Sequence, residues 1–321
     1  VALPETIALV LGGGGARGFF HVGAIEAIES RGIEIVGVAG TSMGALVGGV
    51  YAAGGLDAFA DWSRSLTQSE VLRMLDVVVT APGVIRAEKV IGRVREIVGD
   101  VRIEEFTIPF TAVATDLLSQ REVWFQRGRL DIAIRASIAL PGILTPVMLN
   151  GQLLADGGLM NPVPVAPIAS VPADLSVAIS LSGDRAAGAP QAEADADPRP
   201  VEEWVARFRR GAAHALESDL LRSVRARWLA GTADGAVEAA VPPPLGDDLP
   251  AGLRRFDVMT LSLDAMQALV HRFRLAAHPP DVLIDVPRDA CGTLEFHRAA
   301  ELIELGRRMT GERLDALAGG Q

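Results

Sequence analysis

Two apolar runs near the start of the chain constrain it most, because each ends in glycine and opens a helix. Thr6–Leu11 carries no charge and runs into Gly12-Gly13-Gly14-Gly15, while residues 35–39 run into Gly40-Thr41-Ser42-Met43-Gly44. A run without polar alternation suits a strand buried on both faces, and such strands belong to a parallel sheet covered by helices. Residues 19–31 follow the first run with Val22, Ile25, Ala27 and Ile28 available to a core, and residues 45–53 form a small-residue helix able to lie close against the sheet. Apolar positions 90, 91, 94, 97 and 98 predict a helix over residues 86–98. Strands are expected at 110–114 and 122–125, and a helix at 130–140 stopped by Pro141-Gly142. Asn150-Gly151 between 147–149 and 152–155 is the dipeptide preferred in two-residue hairpins. Strands at 175–181 and 282–284 and a closing helix at 294–309 complete an α/β chain.

At 321 residues and 49% hydrophobic, the chain can bury a large core. Its formal charge of −10 argues against a nucleic-acid partner. Cys291 is the single cysteine, so no intrachain disulfide and no cysteine metal cluster is expected, which suits a reducing compartment. Lys89 is the one lysine among 30 Lys and Arg residues, a bias that reads as a GC-rich bacterial genome. The N-terminal residues show no charged n-region ahead of a long apolar stretch, so no secretory signal is expected. Residues 35–56 lack charge for the length of a membrane span, but their seven glycines fit a strand, a tight turn and a buried helix better.

Composition shifts at residues 183–200, rich in Ala, Asp, Pro and Gln, and again at 242–250. The expected division is a core over 1–183, a linker with a helical insertion or cap over 184–256, and a C-terminal part of the core over 257–321. Residues 201–230 set Trp204 and Trp228 among arginines in a helical pattern. That composition fits a membrane surface. It also fits a helix packed on its own domain or on a second subunit, and the spread of its apolar positions around the helix favours packing.

Gly12–Gly18 can turn several N–H groups into one concavity next to a helix N-terminus, a place for an anion. The anion is either a bound phosphate or the oxyanion of acyl transfer. Gly13, Gly15 and Gly18 also satisfy a dinucleotide pattern, which wants an acidic residue after the second strand, yet Glu34 precedes that strand. The strand ends instead in G-x-S-x-G, the setting of a nucleophile elbow: Gly40 and Gly44 relieve crowding, Ser42 projects, and the Met43 N–H faces the developing charge.

A serine nucleophile needs a base. None of His271, His278 and His297 follows a strand directly, where a Ser-His-Asp esterase would need it, and His21 and His214 lie in helical patterns. Asp156-Gly157-Gly158 closes a short strand, where glycines leave the carboxylate room and supply donors. Asp116 is a rival at another strand end, but no tight turn is expected after it.

Gly13–Gly18, Gly40–Gly44 and Asp156–Gly158, in that order, resemble the patatin-like phospholipases, and more closely their small bacterial RssA-type branch. Residues 136–142 (Ala-Ser-Ile-Ala-Leu-Pro-Gly), Asn161-Pro162-Val163-Pro164 and residues 281–307 strengthen the likeness, while 257–281 match loosely. The resemblance implies a three-layer α/β/α fold with a mostly parallel sheet. It implies a Ser42-Asp156 dyad, and an oxyanion hole at Gly13, Gly14 and Gly15 joined by the Met43 N–H. Two roles are open to Arg17: bracing the glycine loop or adding positive potential. The implied activity is hydrolysis of lipid acyl esters through an acyl-serine, with no cofactor or metal, in the cytoplasm and with peripheral contact at the inner membrane surface. A Ser-His-Asp carboxylesterase or thioesterase and a non-catalytic nucleotide- or phospholipid-binding regulator are the alternatives.

Overall fold

The computed structural model describes residues 3–74, 87–183 and 255–319. The expected linker and insertion, with the arginine-rich pattern at 201–230, lie outside the described residues. Eight strands form one sheet in the order β5-β6-β3-β2-β1-β7-β8, with β4 paired to β3. They are β1 Thr6–Leu11, β2 Glu34–Thr41, β3 Phe110–Asp116, β4 Arg121–Phe125, β5 Val147–Leu149, β6 Gln152–Asp156, β7 Leu175–Gly183 and β8 Val282–Pro287. The centre of the sheet is parallel, from β3 through β2, β1 and β7 to β8. β4, β5 and β6 join as antiparallel neighbours on one side. The sheet is therefore mixed, parallel where the apolar runs are longest.

Strand alternation sorts the side chains of β1 onto two faces. Ile7, Leu9 and Leu11 enter the large core with Phe19, Phe20, Ile25 and Ile28, whereas Ala8 and Val10 join Val163, Ile168 and Ala178 in a smaller one. On the first face lie α1 (Phe20–Glu29), α2 (Met43–Ala52), α3 (Leu56–Arg64), α4 (Gln68–Met74), α5 (Glu88–Val98), α6 (Leu130–Ser137) and a C-terminal α8 (Ala299–Gly319). The second face is covered by the segment after β6 and by α7 (Arg255–Ala277), which contributes Leu275. Both faces of the sheet are thus covered, giving three α/β/α layers. Largely apolar strands favour that outcome, since the first face would otherwise expose Ile7, Leu9 and Leu11 and the second Ala8, Val10 and Ala178.

Several boundaries differ from the sequence pattern. The first helix opens with a 3₁₀ turn at Gly15–Phe19, the helix expected to reach 140 stops at Ser137, and the closing helix runs ten residues further, to Gly319 rather than 309. α3 and α4 carried no expectation, being short and between turns. Asn150 (φ 50°) and Gly151 (φ 80°) make the expected hairpin turn. The 35–56 run divides between β2 and α2, and among the described residues no helix is long and apolar enough to cross a membrane.

The two edges of β3 bring three strands together. A strand has two hydrogen-bonding edges, and β4 occupies one along Ala112–Asp116. The other is shared: Phe110–Val113 pairs with β2, and Ala114–Asp116 pairs with β6. β2 runs parallel to β3 and β6 antiparallel, so their C-terminal ends meet head to head, Thr41 opposite Val113 and Asp156 opposite Ala114.

α1 and α8 cross at Gly23 and Gly306, where a Cβ would stand 1.7 Å from Ile303 O and 2.1 Å from Phe20 O. Overfilling such a contact forces backbone apart, at a cost of about 1–3 kcal/mol or more. Gly23→Val is expected to lower the thermal midpoint by several degrees, checked by calorimetry against the wild type.

Candidate active site

Ser42 stands between β2 and α2 at φ 56° and ψ −123°, in the left-handed half of the map where side chains are strained by about 1–3 kcal/mol. Two kinds of contact hold it there. Glycines let the backbone fold tightly: a Cβ on Gly40 would meet Gly44 O at 2.3 Å, and one on Gly44 would meet Leu11 O at 2.0 Å. Ser137 then pins the turn, its Oγ accepting from Ser42 N at 2.9 Å and donating to Val113 O at 2.6 Å. Ser137 belongs to the 136–142 stretch that the sequence singled out, but its tether crosses between three elements and has no signature in one dimension. Thr41 adds a second tie, its Oγ1 donating to Asn161 O at 2.9 Å.

Asp156 is buried at the end of β6, where its carboxylate accepts from Gly158 N at 2.7 Å and lies beside the Ser42 hydroxyl, which favours the charged form. Burial pushes its carboxyl up to about 6 from the 3.8 of a free aspartate, and the nearby Ser42 hydroxyl and the Gly158 N–H offset part of that rise. The group is therefore ionised at neutral pH yet basic enough to take a proton. Gly157 is required by crowding, since a Cβ there would lie 2.2 Å from Val113 O. The rival Asp116 turns out to open a tight turn after all, with Gln120 at φ 55°. Its carboxylate accepts from Ser119 Oγ, Leu118 N and Leu153 N, and these bonds, the Ser119 one foremost, hold it below the usual carboxylate range.

The glycine loop abuts this pair, since a Cβ on Gly13 would stand 3.2 Å from Ser42 Cβ. Its amides are not equivalent. Gly12 N donates to Ile179 O, Gly13 N to Pro162 O at 3.0 Å and Ala16 N to Thr293 O. Gly13, expected among the oxyanion donors, has its N–H engaged within the fold. The N–H groups of Gly14, Gly15 and Met43 donate in none of the loop and turn hydrogen bonds among the described residues. Arg17 braces the loop, its Nε donating to Gly14 O at 3.2 Å and its Nη1 to Arg288 O at 3.1 Å. His21 braces it from within: fully buried, its Nε2–H donates to Gly12 O at 2.8 Å, and burial draws the imidazole down to about 4. The sequence located His21 in α1 but assigned it no partner.

α7 supplies the remaining wall. The place a Cβ would take on Gly158 lies 3.0 Å from Asp156 Oδ1 and 3.6 Å from Gln267 Nε2. Arg274 bridges to Glu122, which also accepts from Asn161 Nδ2 at 2.9 Å. His271 is buried against Ser180 Oγ at 3.4 Å, His278 is exposed just past α7, and His297 lies in a 3₁₀ turn ahead of α8. None of these histidines bonds to Ser42 or Asp156 among the described residues. No group of three or more His, Cys, Asp or Glu side chains suited to a metal ion occurs among them either.

A serine on a strained strand-to-helix elbow, facing a buried carboxylate and flanked by a glycine loop in a three-layer fold, defines an α/β protein with the architecture of an acyl hydrolase. Residues 9–169 match the patatin-like phospholipase family. The chain is 47% identical over 334 residues to an uncharacterized NTE family protein of Mycobacterium bovis, covering 97% of this chain and 91% of that protein, and matches one of Mycobacterium tuberculosis equally. It is 35% identical over 182 residues to Lysophospholipase NTE1 of Yarrowia lipolytica, and 33% over 184 residues to human Patatin-like phospholipase domain-containing protein 6. Those two alignments cover 55% of this chain and 13% of each relative. The chain belongs to the patatin-like phospholipase family, in its NTE-related part.

The Ser137 tether and the raised Asp156 pKa each have a measurable consequence. Ser137→Ala leaves Ser42 N and Val113 O without partners, which is expected to cost about 1–3 kcal/mol in denaturant melts. Asp156 binds its proton more tightly folded than unfolded, so its contribution to stability falls as pH climbs from about 4 through about 6. Asp156→Asn should therefore melt higher than wild type above pH 6, the gap closing below pH 4, as read by thermal melts across that range.

Proposed function

We propose that the chain hydrolyses lipid acyl esters by a Ser42-Asp156 dyad, as a serine hydrolase of phospholipase A or lysophospholipase type. One observation carries the reading: β2 and β6 end against each other on one edge of β3, so that the Ser42 hydroxyl lies beside a buried carboxylate with a raised pKa. Asp156 takes the Ser42 proton as Oγ attacks the ester carbonyl. The oxyanion is received by the amides of Gly14, Gly15 and Met43, with Gly13 shaping the loop beneath them. Collapse expels the alcohol, which leaves with the proton held by Asp156. Water then yields a proton to Asp156 and attacks the acyl-serine, the carboxylic acid departs, and the proton returns to Ser42 Oγ. Each oxyanion donor is worth roughly 10²–10³ in rate.

The names of the NTE1 and domain-containing protein 6 relatives support lipid esters as the substrate class. The sequence motifs support a position near the RssA-type branch, while the relatives compared support the NTE-related part of the family. Cytoplasmic placement with peripheral contact at the inner membrane surface belongs to the same proposal. The nucleotide-binding alternative is disfavoured by the loop itself, since Gly12, Gly13 and Ala16 amides are already engaged.

Ser42→Ala is expected to abolish turnover of a lysophospholipid and of a soluble p-nitrophenyl ester, and to block stoichiometric fluorophosphonate labelling seen by mass spectrometry. Residual turnover at the wild-type rate would remove Ser42 from the mechanism. The wild-type kcat/KM should rise with pH through an apparent pKa near 6 and level above it. Asp156→Asn should lose about 10²–10⁴ in rate together with that rising limb.

A further inference from the structure

The large hydrophobic side chains left exposed among the described residues are not scattered. Met266 (58% exposed), Leu269 (48%) and Phe273 (68%) fall on α7 at intervals of three and four, one stripe of a helix. Gln267, His271, Arg274 and Leu275 occupy the opposite side and hold α7 to the molecule. The others are Leu117 and Leu118 in the β3–β4 turn, Trp124 on β4 and Met148 on β5.

Register joins these two groups. Glu122, bridged to Arg274, shares a face of β4 with Trp124, whose Nε1 donates to it at 3.0 Å. Glu122 lies opposite Thr115, Thr115 opposite Ala155, and Leu153, two residues back along β6, opposite Met148. Trp124 and Met148 therefore emerge on the sheet face that α7 covers. Leu117 N donates to Leu153 O at 2.9 Å, which sets the turn beside them.

We propose that this face, formed by the outer stripe of α7 with Trp124, Met148 and the 117–118 turn, docks on the surface of a phospholipid aggregate. The proposal rests on the lipid-ester reading and adds where the substrate's surface meets the protein. Continuity with the site argues for it: Met266 adjoins Gln267, which stands by Gly158, and β6 carries Asp156 three residues beyond Leu153. Charge argues for lipid over a second copy. The carboxylate of Glu122 is bonded inside the fold, whereas Arg272, exposed next to Phe273 on α7, forms no ion pair among the described residues. A second copy would set the same arginine toward its own copy, while lipid phosphates neutralise it. This local balance is opposite to the chain's overall charge of −10.

The test uses the full chain carrying Ser42→Ala for binding and the active chain for turnover. Co-sedimentation with mixed phosphatidylcholine–phosphatidylglycerol vesicles is expected to weaken at least about tenfold in Leu269→Ser/Phe273→Ser, two exposed apolar groups being lost. Arg272→Glu should weaken binding about fivefold with phosphatidylglycerol present and leave it unchanged on phosphatidylcholine alone. In the active chain the double variant should lose vesicle-lipid hydrolysis in parallel, with turnover of a soluble short-chain ester kept within about twofold. Unchanged vesicle binding overturns the proposal, as does a wild-type dimer in sedimentation velocity that the double variant dissolves. Should wild type hydrolyse neither ester while vesicle binding still falls in the double variant, the lipid-ester reading fails and the docking surface stands.

Discussion

The shared edge of β3 is the constraint on which the rest of this structure depends. Two strands of opposite direction cannot both continue along one edge, so β2 and β6 stop where they meet, at Val113 and Ala114. The segment leaving each strand is then forced into the same small volume. On one side that is the Ser42 elbow, on the other the Asp156-Gly157-Gly158 turn. The carbonyl of Val113 sits in the seam, accepting from Ser137 and allowing no side chain at position 157. Ser42 and Asp156, 114 residues apart in sequence, are thus brought together by strand pairing, with no dedicated loop to carry either.

Energy is stored in that seam in two forms. Ser42 holds a backbone conformation that costs about 1–3 kcal/mol, and Asp156 holds a carboxylate out of water. Both are sustained by surroundings that over-determine them: Ser137 beneath the elbow, Gly158 N on the carboxylate, and His21 and Arg17 on the glycine loop. His21 remains neutral because its burial leaves an imidazolium no solvation, and a neutral ring donates through the one nitrogen that faces Gly12 O. α7 closes the arrangement from the second face. Its inner side is polar where it meets the site and apolar where it meets Ala8 and Val10, and its outer side carries the apolar stripe.

Much of the fold could be read without coordinates, for a physical reason. Strands buried on both faces must be continuously apolar, so β1, β2, β3 and β7 announced themselves, and the Asn150-Gly151 turn set the β5–β6 hairpin. The G-x-S-x-G and Asp-Gly-Gly signals were equally local, because each encodes backbone crowding that only glycine tolerates. The hidden features were relations between distant segments. Ser137, Asn161 and Glu122 are ordinary residues until the fold sets them against Ser42, Thr41 and Arg274. α3, α4 and the full length of α8 also escaped, since short or amphipathic helices beside turns give weak periodicity. The turn after Asp116 was missed because its residues, Leu117 to Gln120, include neither glycine nor proline.

By itself the sequence determined which segments would be buried strands, where the backbone had to bend sharply, and which serine and aspartate stood at those bends. These are properties of a residue and its nearest neighbours. Tertiary structure alone decided that the two bends would face each other, because that depends on which strands share an edge of β3. It likewise decided which glycine amides stay uncommitted: Gly13 resembles Gly14 and Gly15 in sequence, but only Gly13 lies within reach of Pro162 O.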